Sequence, residues 1–169
     1  GDENALSAYV RLVSEKEQNM DSRASKLSEA FALAKTAGNK KNIIEKLGQT
    51  PTRNAFLLVG KQLDDKELNY AAANAARNII EKTSKDIQSD IVNANLEKCI
   101  NIFKATGDAD DGYAVDALRQ KLSEMTPVEP YVLSDEEKAQ GFELLFDGTN
   151  LDNFVGNKVG YVPINGCIN

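Results

Sequence analysis

Few kinds of side chain in this sequence could carry chemistry. The chain has 169 residues with no histidine, no tryptophan and two cysteines. Ser-His-Asp catalysis, Cys-His catalysis and every histidine-ligated metal site are therefore excluded, and two cysteines cannot supply a four-thiolate zinc site. Carboxylates and lysines are the remaining candidates for chemistry, and we predict neither a cofactor nor a metal.

The acidic run Asp108, Asp110 and Asp111 places oxygen ligands at alternating positions, as a calcium loop does. An EF-hand also requires glycine at position 6 and glutamate at position 12. Counted from Asp108, position 12 is Arg119. A turn and helix-capping role is the favoured interpretation of this run.

Basic residues give no stronger signal. Lys40, Lys41 and Lys46 could meet an anion near a helix N-terminus, but a solvated helix face explains them better. The chain carries a net charge of −6, which argues against a nucleic-acid partner. Its apolar runs are too short for a membrane span.

The two cysteines are predicted to be small buried hydrophobes. Cys99 falls on the apolar face of a predicted helix and Cys167 falls in a predicted strand. A disulfide between them is the disfavoured alternative, because they lie in different modules.

Apolar residues recur at helical spacing over the first 126 residues and predict seven helices. Gly38 and Gly48 are predicted to end the second and third helices. Thr50-Pro51 is predicted to start the fourth, and Asp64 with Glu67 resembles a capping box for the fifth. The stripes are Leu6, Tyr9, Val10, Val13; Leu27, Ala30, Phe31, Ala34; Ile43, Ile44, Leu47; Phe56, Val59, Leu63; Leu68, Ala71, Ala72, Ala75, Ala76, Ile79; Val92, Leu96, Cys99, Ile100, Phe103; and Ala114, Ala117, Leu118, Leu122, Met125.

The fifth predicted helix is rich in alanine, which leaves room for a neighbouring helix to approach closely. Tyr70, Tyr113 and the phenylalanines are expected to fill the core. Residues 44–80 resemble a HEAT-type repeat of two helices, and the flanking helix pairs resemble weaker copies. We therefore expect a mainly α fold, either an α-α solenoid of the HEAT or armadillo kind or a bundle, with a short β segment at the C-terminus.

Charge, glycine and proline content all change near residue 127. Residues 1–127 hold 18 basic and 19 acidic residues, whereas residues 128–169 hold 2 and 7. Pro127 and Pro130 would stop a helix and hold an extended linker. We predict a helical repeat domain over residues 1–126, a linker with a short helix over 127–141, and a β segment over 142–169.

The spacing of apolar residues changes in the C-terminal segment, from a helical pattern to one typical of strands. Ser134 and Glu137 form a capping box for one short helix that ends at Gly141. Phe142–Phe146 is predicted to be a strand, and Asn165-Gly166 lies between two apolar runs as a hairpin turn. Because a strand begun and then cut off leaves open backbone groups, we expect the chain to be a fragment of a longer protein.

Residues 141–154 resemble the opening of the 3-keto-disaccharide hydrolase family. The match rests on Phe142, Leu145, Phe146, Asp147, Gly148, Leu151 and Phe154, continued by Tyr161 and Gly166. The family usually has tryptophan where this chain has Phe154. The resemblance implies a concanavalin-like β-sandwich, glycoside cleavage in carbohydrate metabolism, a periplasmic or secreted location and a preceding helical repeat region in some members.

The resemblance implies structural roles for the matched residues. The apolar members are expected to be sandwich core, while Asp147, Gly148 and Gly166 are expected in turns. No catalytic residue is assigned. Glu143, Asp147 and Asp152 are the carboxylates nearest the motif, and strand-edge or turn roles explain them better than a glycosidase pair does.

Three functions follow as hypotheses. The chain is a non-catalytic helical scaffold of a glycoside-cleaving protein, with its own C-terminal sandwich as partner and a protein or glycan on its concave face. Alternatively, its helices shape the substrate cleft of that hydrolase. The third hypothesis is a free-standing helical interaction module with no link to sugar chemistry.

Overall fold

The computed structural model describes residues 3–83, 87, 90–125, 130–148, 151, 154–155, 163–164 and 167–168. These residues form eight helices: α1 (Glu3–Lys16), α2 (Met20–Leu33), α3 (Ala37–Gly48), α4 (Arg53–Gly60), α5 (Asn69–Lys82), α6 (Asp90–Thr106), α7 (Ala109–Met125) and α8 (Asp135–Ala139). The chain is mainly α, as predicted. Within the described residues, no helix is both long and apolar enough to cross a membrane.

The chain divides into two compact units, Gly1–Lys121 and Leu122–Asn169. This division falls within α7, earlier than the composition change that places the predicted boundary at residue 126. The first unit contains α1 to α6 and most of α7.

Packing in the first unit follows chain order. Each of α1 to α5 packs against the next helix, and α1, α3 and α5 also pack in series, as do α2, α4 and α6. Among the described residues, the main helix contacts thus join each helix to the next one or to the one after it, and the helices alternate between two layers. This arrangement is typical of helical repeats, in which one helix pair stacks on the next.

The predicted apolar stripes form the core of this unit. Large buried side chains come from every helix of α1 to α7, and include Val10, Leu27, Ile43, Ile44, Leu47, Phe56, Val59, Ile79, Leu96, Phe103 and Leu118. Among the predicted stripe residues, Tyr9 and Ala117 are instead exposed. Burial of the other stripes removes apolar area from water at roughly 25 cal/mol per Å², which makes packing the main source of helix stability.

Two predicted helix ends are wrong. The second helix ends at Leu33, well before Gly38, because Thr36 accepts a hydrogen bond from the Asn39 N–H (3.2 Å) and starts α3. Gly38 therefore lies in the first turn of α3. The fourth helix starts at Thr52, whose side chain accepts from the Ala55 N–H at 3.1 Å.

The predicted capping residues Thr50 and Asp64 have other contacts. Thr50 is buried, and its hydroxyl donates to the Lys46 carbonyl oxygen at 2.9 Å. Asp64 forms an ion pair with Lys98 at 2.7 Å, so it does not cap α5. Asp65 instead accepts from the Glu67 N–H at 2.8 Å, and α5 begins without a side-chain cap.

Other predicted helix ends are confirmed. The third helix ends at Gly48, and Gly141 follows α8 with a φ of 83°, a conformation that favours glycine. Ser134 and Glu137 form the predicted reciprocal capping box of α8.

In the second unit, residues 142–146 do not form the predicted strand. A strand needs a ladder partner, and the described backbone hydrogen bonds of this region join it to α8 and to Tyr131 rather than to a neighbouring strand. The Phe142 N–H donates to the Glu137 carbonyl oxygen at 3.1 Å, and the Tyr131 N–H donates to that of Asp147 at 2.7 Å. Two short strands, β1 (Pro163–Ile164) and β2 (Cys167–Ile168), pair antiparallel with Pro163 opposite Ile168. Asn165 and Gly166 lie outside the described residues.

The backbones of α3 and α5 approach each other closely at Gly48. A methyl group placed on Gly48 would lie 2.9 Å from the Cα atom and 3.0 Å from the Cβ atom of Ala75. Ala72, Ala75 and Ala76 are buried, so the alanine-rich face of α5 admits a neighbour as predicted.

Gly48→Ala is expected to lower the free energy of unfolding by about 1–3 kcal/mol, because the added methyl overlaps backbone that cannot move cheaply. Chemical denaturation measures this change. Gly38→Ala in the same helix is the control, since no atom lies within 4 Å of its added methyl. That variant should be neutral or more stable by up to about 1 kcal/mol. Equal effects of the two substitutions would contradict the close approach.

Glu17 closes the turn between α1 and α2. Its carboxylate accepts hydrogen bonds from the Lys26 ammonium, from the Asn19 N–H (3.1 Å) and from the Ser22 hydroxyl (2.9 Å). These donors, with Lys26 the strongest, lower the pKa of Glu17 from 4.5 to about 2. The folded state therefore favours the ionised carboxylate.

Glu17→Gln should flatten the acid side of the stability profile. Because the pKa is lower in the folded state, the carboxylate's contribution is complete above pH 4.5 and is lost as the pH falls towards 2. Denaturation midpoints measured across this window should fall less steeply for Glu17→Gln than for the parent chain. Glu15→Gln, at an exposed position of α1, is the control and should keep the parent slope.

Candidate functional site

A groove of about 480 Å³ lies between α3 and α5. Asn42 of α3 and Asn74 and Asn78 of α5 contribute three carboxamides to its lining. Asn74 and Asn78 share one face of α5 because they are four residues apart. All three side chains are half-buried, so each reaches the groove without being enclosed.

Most of these amide groups are available to a ligand. The Asn74 side-chain nitrogen donates to the Tyr70 carbonyl oxygen at 3.1 Å. Among the described residues, Asn42 and Asn78 have no side-chain hydrogen-bond partner, and none of their polar atoms is fully buried. Each carboxamide offers two donor hydrogens and an acceptor oxygen. The groove can thus bind a polar ligand in both hydrogen-bonding senses.

A second groove, of about 390 Å³, meets the first at Tyr70. It lies between α5 and α6, and its polar lining comprises Asn69, Asn101 and Thr106. Tyr70 lines both grooves. We call the two together the Tyr70 groove.

Tyr70 is held in place from two sides. Its hydroxyl donates to a carboxylate oxygen of Asp111 at 3.1 Å, and its ring packs edge-to-face on Phe103 with centroids 5.9 Å apart. Asp111 is only 7% exposed, and it also accepts from the Thr106 hydroxyl at 2.6 Å. This cluster ties α5, α6 and the first turn of α7 together. The Tyr70 ring remains 47% exposed, which leaves part of it open to a ligand.

The acidic run of the sequence has the predicted structural role. The Asp108 carboxylate accepts from the Asp110 N–H at 2.9 Å at the start of α7. Asp111 points inward to the tyrosine and threonine hydroxyls. Within the described part of the chain, no group of three or more Cys, Asp or Glu residues is arranged to hold a metal ion.

Two predicted core tyrosines are not core residues. Tyr70 is half exposed, and Tyr113 is 78% exposed because it lies on the outer face of α7. Phe56 and Phe103 are buried as predicted. Sequence periodicity placed Tyr70 and Tyr113 beside apolar stripes without showing which side of each helix they occupy.

The lysines and Cys99 have the structural roles favoured by the sequence. Lys40 lies over the ring of Phe31, 5.7 Å from its centroid, whereas Lys41 is exposed at the groove. Cys99 is a buried free thiol. Burial raises the pKa of this thiol to about 12, which keeps it protonated and unreactive at neutral pH.

The residues of the predicted C-terminal motif do not form a core of their own. Phe142 and Leu145 are 60% and 67% exposed. Phe146 and Phe154 are half-buried and pack edge-to-face with centroids 6.2 Å apart. Gly148 has a φ of 91°, which suits its predicted turn role, and Glu143 is exposed. Asp152, Tyr161 and Gly166 lie outside the described residues.

Sequence reasoning did not find the asparagines of the Tyr70 groove. One signal was available, because asparagine is a poor former of helix interiors and Asn42, Asn74 and Asn78 all occur there. The presence of asparagine at such positions points to a role for its side chain, because it does not favour helix formation. Their convergence also depends on the packing of α3 on α5.

Asp111→Ala should lower the free energy of unfolding by about 1–3 kcal/mol, because the Tyr70 hydroxyl loses its acceptor and the Thr106 hydroxyl keeps only the Phe103 carbonyl oxygen. Urea denaturation measures this change. Asp110→Ala is the control, because it removes the same charge from the same helix turn at an exposed position. Tyr70→Phe should cost about 0.5–1.5 kcal/mol, and the costs of Tyr70→Phe and Asp111→Ala should not add in the double variant. Additive costs would contradict the coupling.

Comparison of the chain with protein-family models, with curated proteins and with solved structures finds no match. The features of the chain that bear on its function are therefore the groove, the helical-repeat arrangement and the motif in the second unit.

Proposed function

We propose that this chain is a non-catalytic helical scaffold module of a carbohydrate-processing protein related to the 3-keto-disaccharide hydrolases. Its partners in this proposal are its own C-terminal β-sandwich domain and a ligand held by the helices. Two features support it: the helical-repeat arrangement of the first unit, and the hydrolase-like motif that follows it in the chain. The proposed location is periplasmic or secreted, on the same resemblance.

One observation carries the proposal. Phe142 and Leu145 are largely exposed, although the resemblance assigns them to the core of a sandwich. Exposed large apolar side chains in one short segment are typical of a surface that becomes buried against another structure. In this proposal the remaining strands of the sandwich cover them.

The described carboxylates favour a non-catalytic role for this chain. Glycoside hydrolysis needs two carboxyl groups at a fixed separation, one of them with a raised pKa. Asp111 is the buried carboxylate of the described residues, and hydroxyl donors from Tyr70 and Thr106 occupy both of its oxygens. It therefore has a positioning role.

A second candidate is a free-standing helical interaction module. The Tyr70 groove favours it, because all of its lining residues come from α3, α5 and α6 and none from the hydrolase-like motif. The reading frame beyond Asn169 separates the two candidates. Alternating strands sufficient for a sandwich would support the hydrolase link, and a stop codon would contradict it.

We expect the purified chain to release no product from a 3-keto-glucoside above the rate without protein. The reason is that its described carboxylates do not supply a paired acid and base. A chromogenic 3-keto-glucoside provides the measurement, with a longer chain that includes the following strands as the comparison. Turnover by the present chain would contradict the non-catalytic assignment.

A further inference from the structure

The Tyr70 groove has the chemistry of a site for an uncharged ligand. The charged side chains that line it are Lys41 and Glu45, which lie four residues apart on α3 and are both exposed. Their formal charges cancel. The groove is therefore electrically neutral in a chain of net charge −6, and it offers no charge complementarity to a strongly acidic or basic partner.

The residues that line the groove favour a ligand rich in hydroxyl groups over an uncharged peptide. A bound peptide gains specificity from pockets for its side chains. Between α3 and α5 the non-polar lining consists of Gly38, Ala71 and Ala75, and no large aliphatic side chain contributes. Apart from Tyr70, the non-polar surface of this part of the groove is therefore backbone and methyl groups. It suits a ligand that is recognised by its hydroxyl groups and ring faces more than by protruding side chains.

The polar groups match such a ligand. Asn42 of α3 and Asn78 of α5 line the same groove and, among the described residues, have no side-chain hydrogen-bond partner, and Asn69 and Asn101 line the second groove. Hydroxyl groups also act as both donors and acceptors, so carboxamides can pair with them in either sense. The half-exposed Tyr70 ring, fixed by Asp111 and Phe103, supplies a flat apolar surface at the junction.

We propose that the Tyr70 groove binds a neutral glycan chain, with Asn42 and Asn78 as hydrogen-bonding residues and the Tyr70 ring as a stacking surface. This inference rests on the proposed function, because a scaffold of a carbohydrate-processing protein would hold the polymer near the adjoining domain. Tyr70 is held before the ligand arrives, so its ordering costs little on binding. Asp111 is a positioning residue that acts through Tyr70.

Side-chain amide resonances of the ¹⁵N-labelled chain provide the test. Cellotetraose, maltotetraose and laminaritetraose are each titrated to roughly 10 mM, which saturates a site with a millimolar Kd. At least one of them should shift the amide resonances of Asn42 and Asn78. The combined variant Asn42→Ala with Asn78→Ala should weaken that binding by about tenfold or more, since several hydrogen bonds are lost.

Matched variants separate binding from folding. Alanine favours helix over asparagine, so the combined variant should fold at least as well as the parent, which thermal unfolding checks. Asn54→Ala, at an exposed position of α4 outside the groove, should leave affinity unchanged. Tyr70→Ala should weaken binding, whereas Tyr70→Phe keeps the ring but loses the Asp111 hydrogen bond and should weaken binding less than Tyr70→Ala does.

Three results would overturn the glycan site. The first is that no tetrasaccharide shifts the groove resonances. The second is that the combined variant binds as tightly as Asn54→Ala. The third is that a capped tetra-alanine peptide shifts the resonances and the saccharides do not. None of these results affects the hydrolase assay, so a failure of the glycan site is distinguishable from a failure of the scaffold proposal.

Discussion

The backbones of α3 and α5 meet where Gly48 lies against Ala75, and the arrangement of the first unit depends on this contact. A side chain at position 48 would separate the two helices, since its first carbon would fall within 3 Å of the partner backbone. The α5 helix is also the one that packs on α3, α4 and α6. Any change in its distance from α3 would therefore be transmitted to both layers, because close-packed interiors pass strain to their neighbours.

The same contact gives the Tyr70 groove its width. Asn42 lies on α3 and Asn78 on α5, so their separation is set by how closely these helices approach. Gly60 permits a similar close approach between α4 and α6, because a methyl group there would lie 2.2 Å from the Asn95 amide nitrogen. Small residues at helix contacts thus fix the spacing of the polar residues that face outward.

Periodicity predicted which side chains enter the core, because burial follows directly from the 3.6-residue repeat. It failed at helix ends where several capping residues compete. Thr36, Thr50 and Thr52 can each cap a helix, and the choice depends on Thr50 being drawn into the core beside Lys46. Periodicity could not predict the groove either, because the groove depends on how separate helices pack. Asn42 and Asn78 are 36 positions apart in the sequence, and only the helix packing brings them to one surface.

The alanines of α5 also compensate for the asparagines that line the groove from the same helix. Asparagine disfavours helix interiors by roughly half a kcal/mol or more relative to alanine. The α5 helix carries Asn74 and Asn78 among five alanines at positions 71, 72, 73, 75 and 76, and these offset that cost. One residue type thus supplies both the close approach to α3 and the helix stability that permits polar side chains on the open face. A larger apolar residue at position 75 would prevent the close approach of α5 to α3 but would keep α5 helical. The spacing of the asparagines is therefore more sensitive to substitution at position 75 than the stability of the helix is.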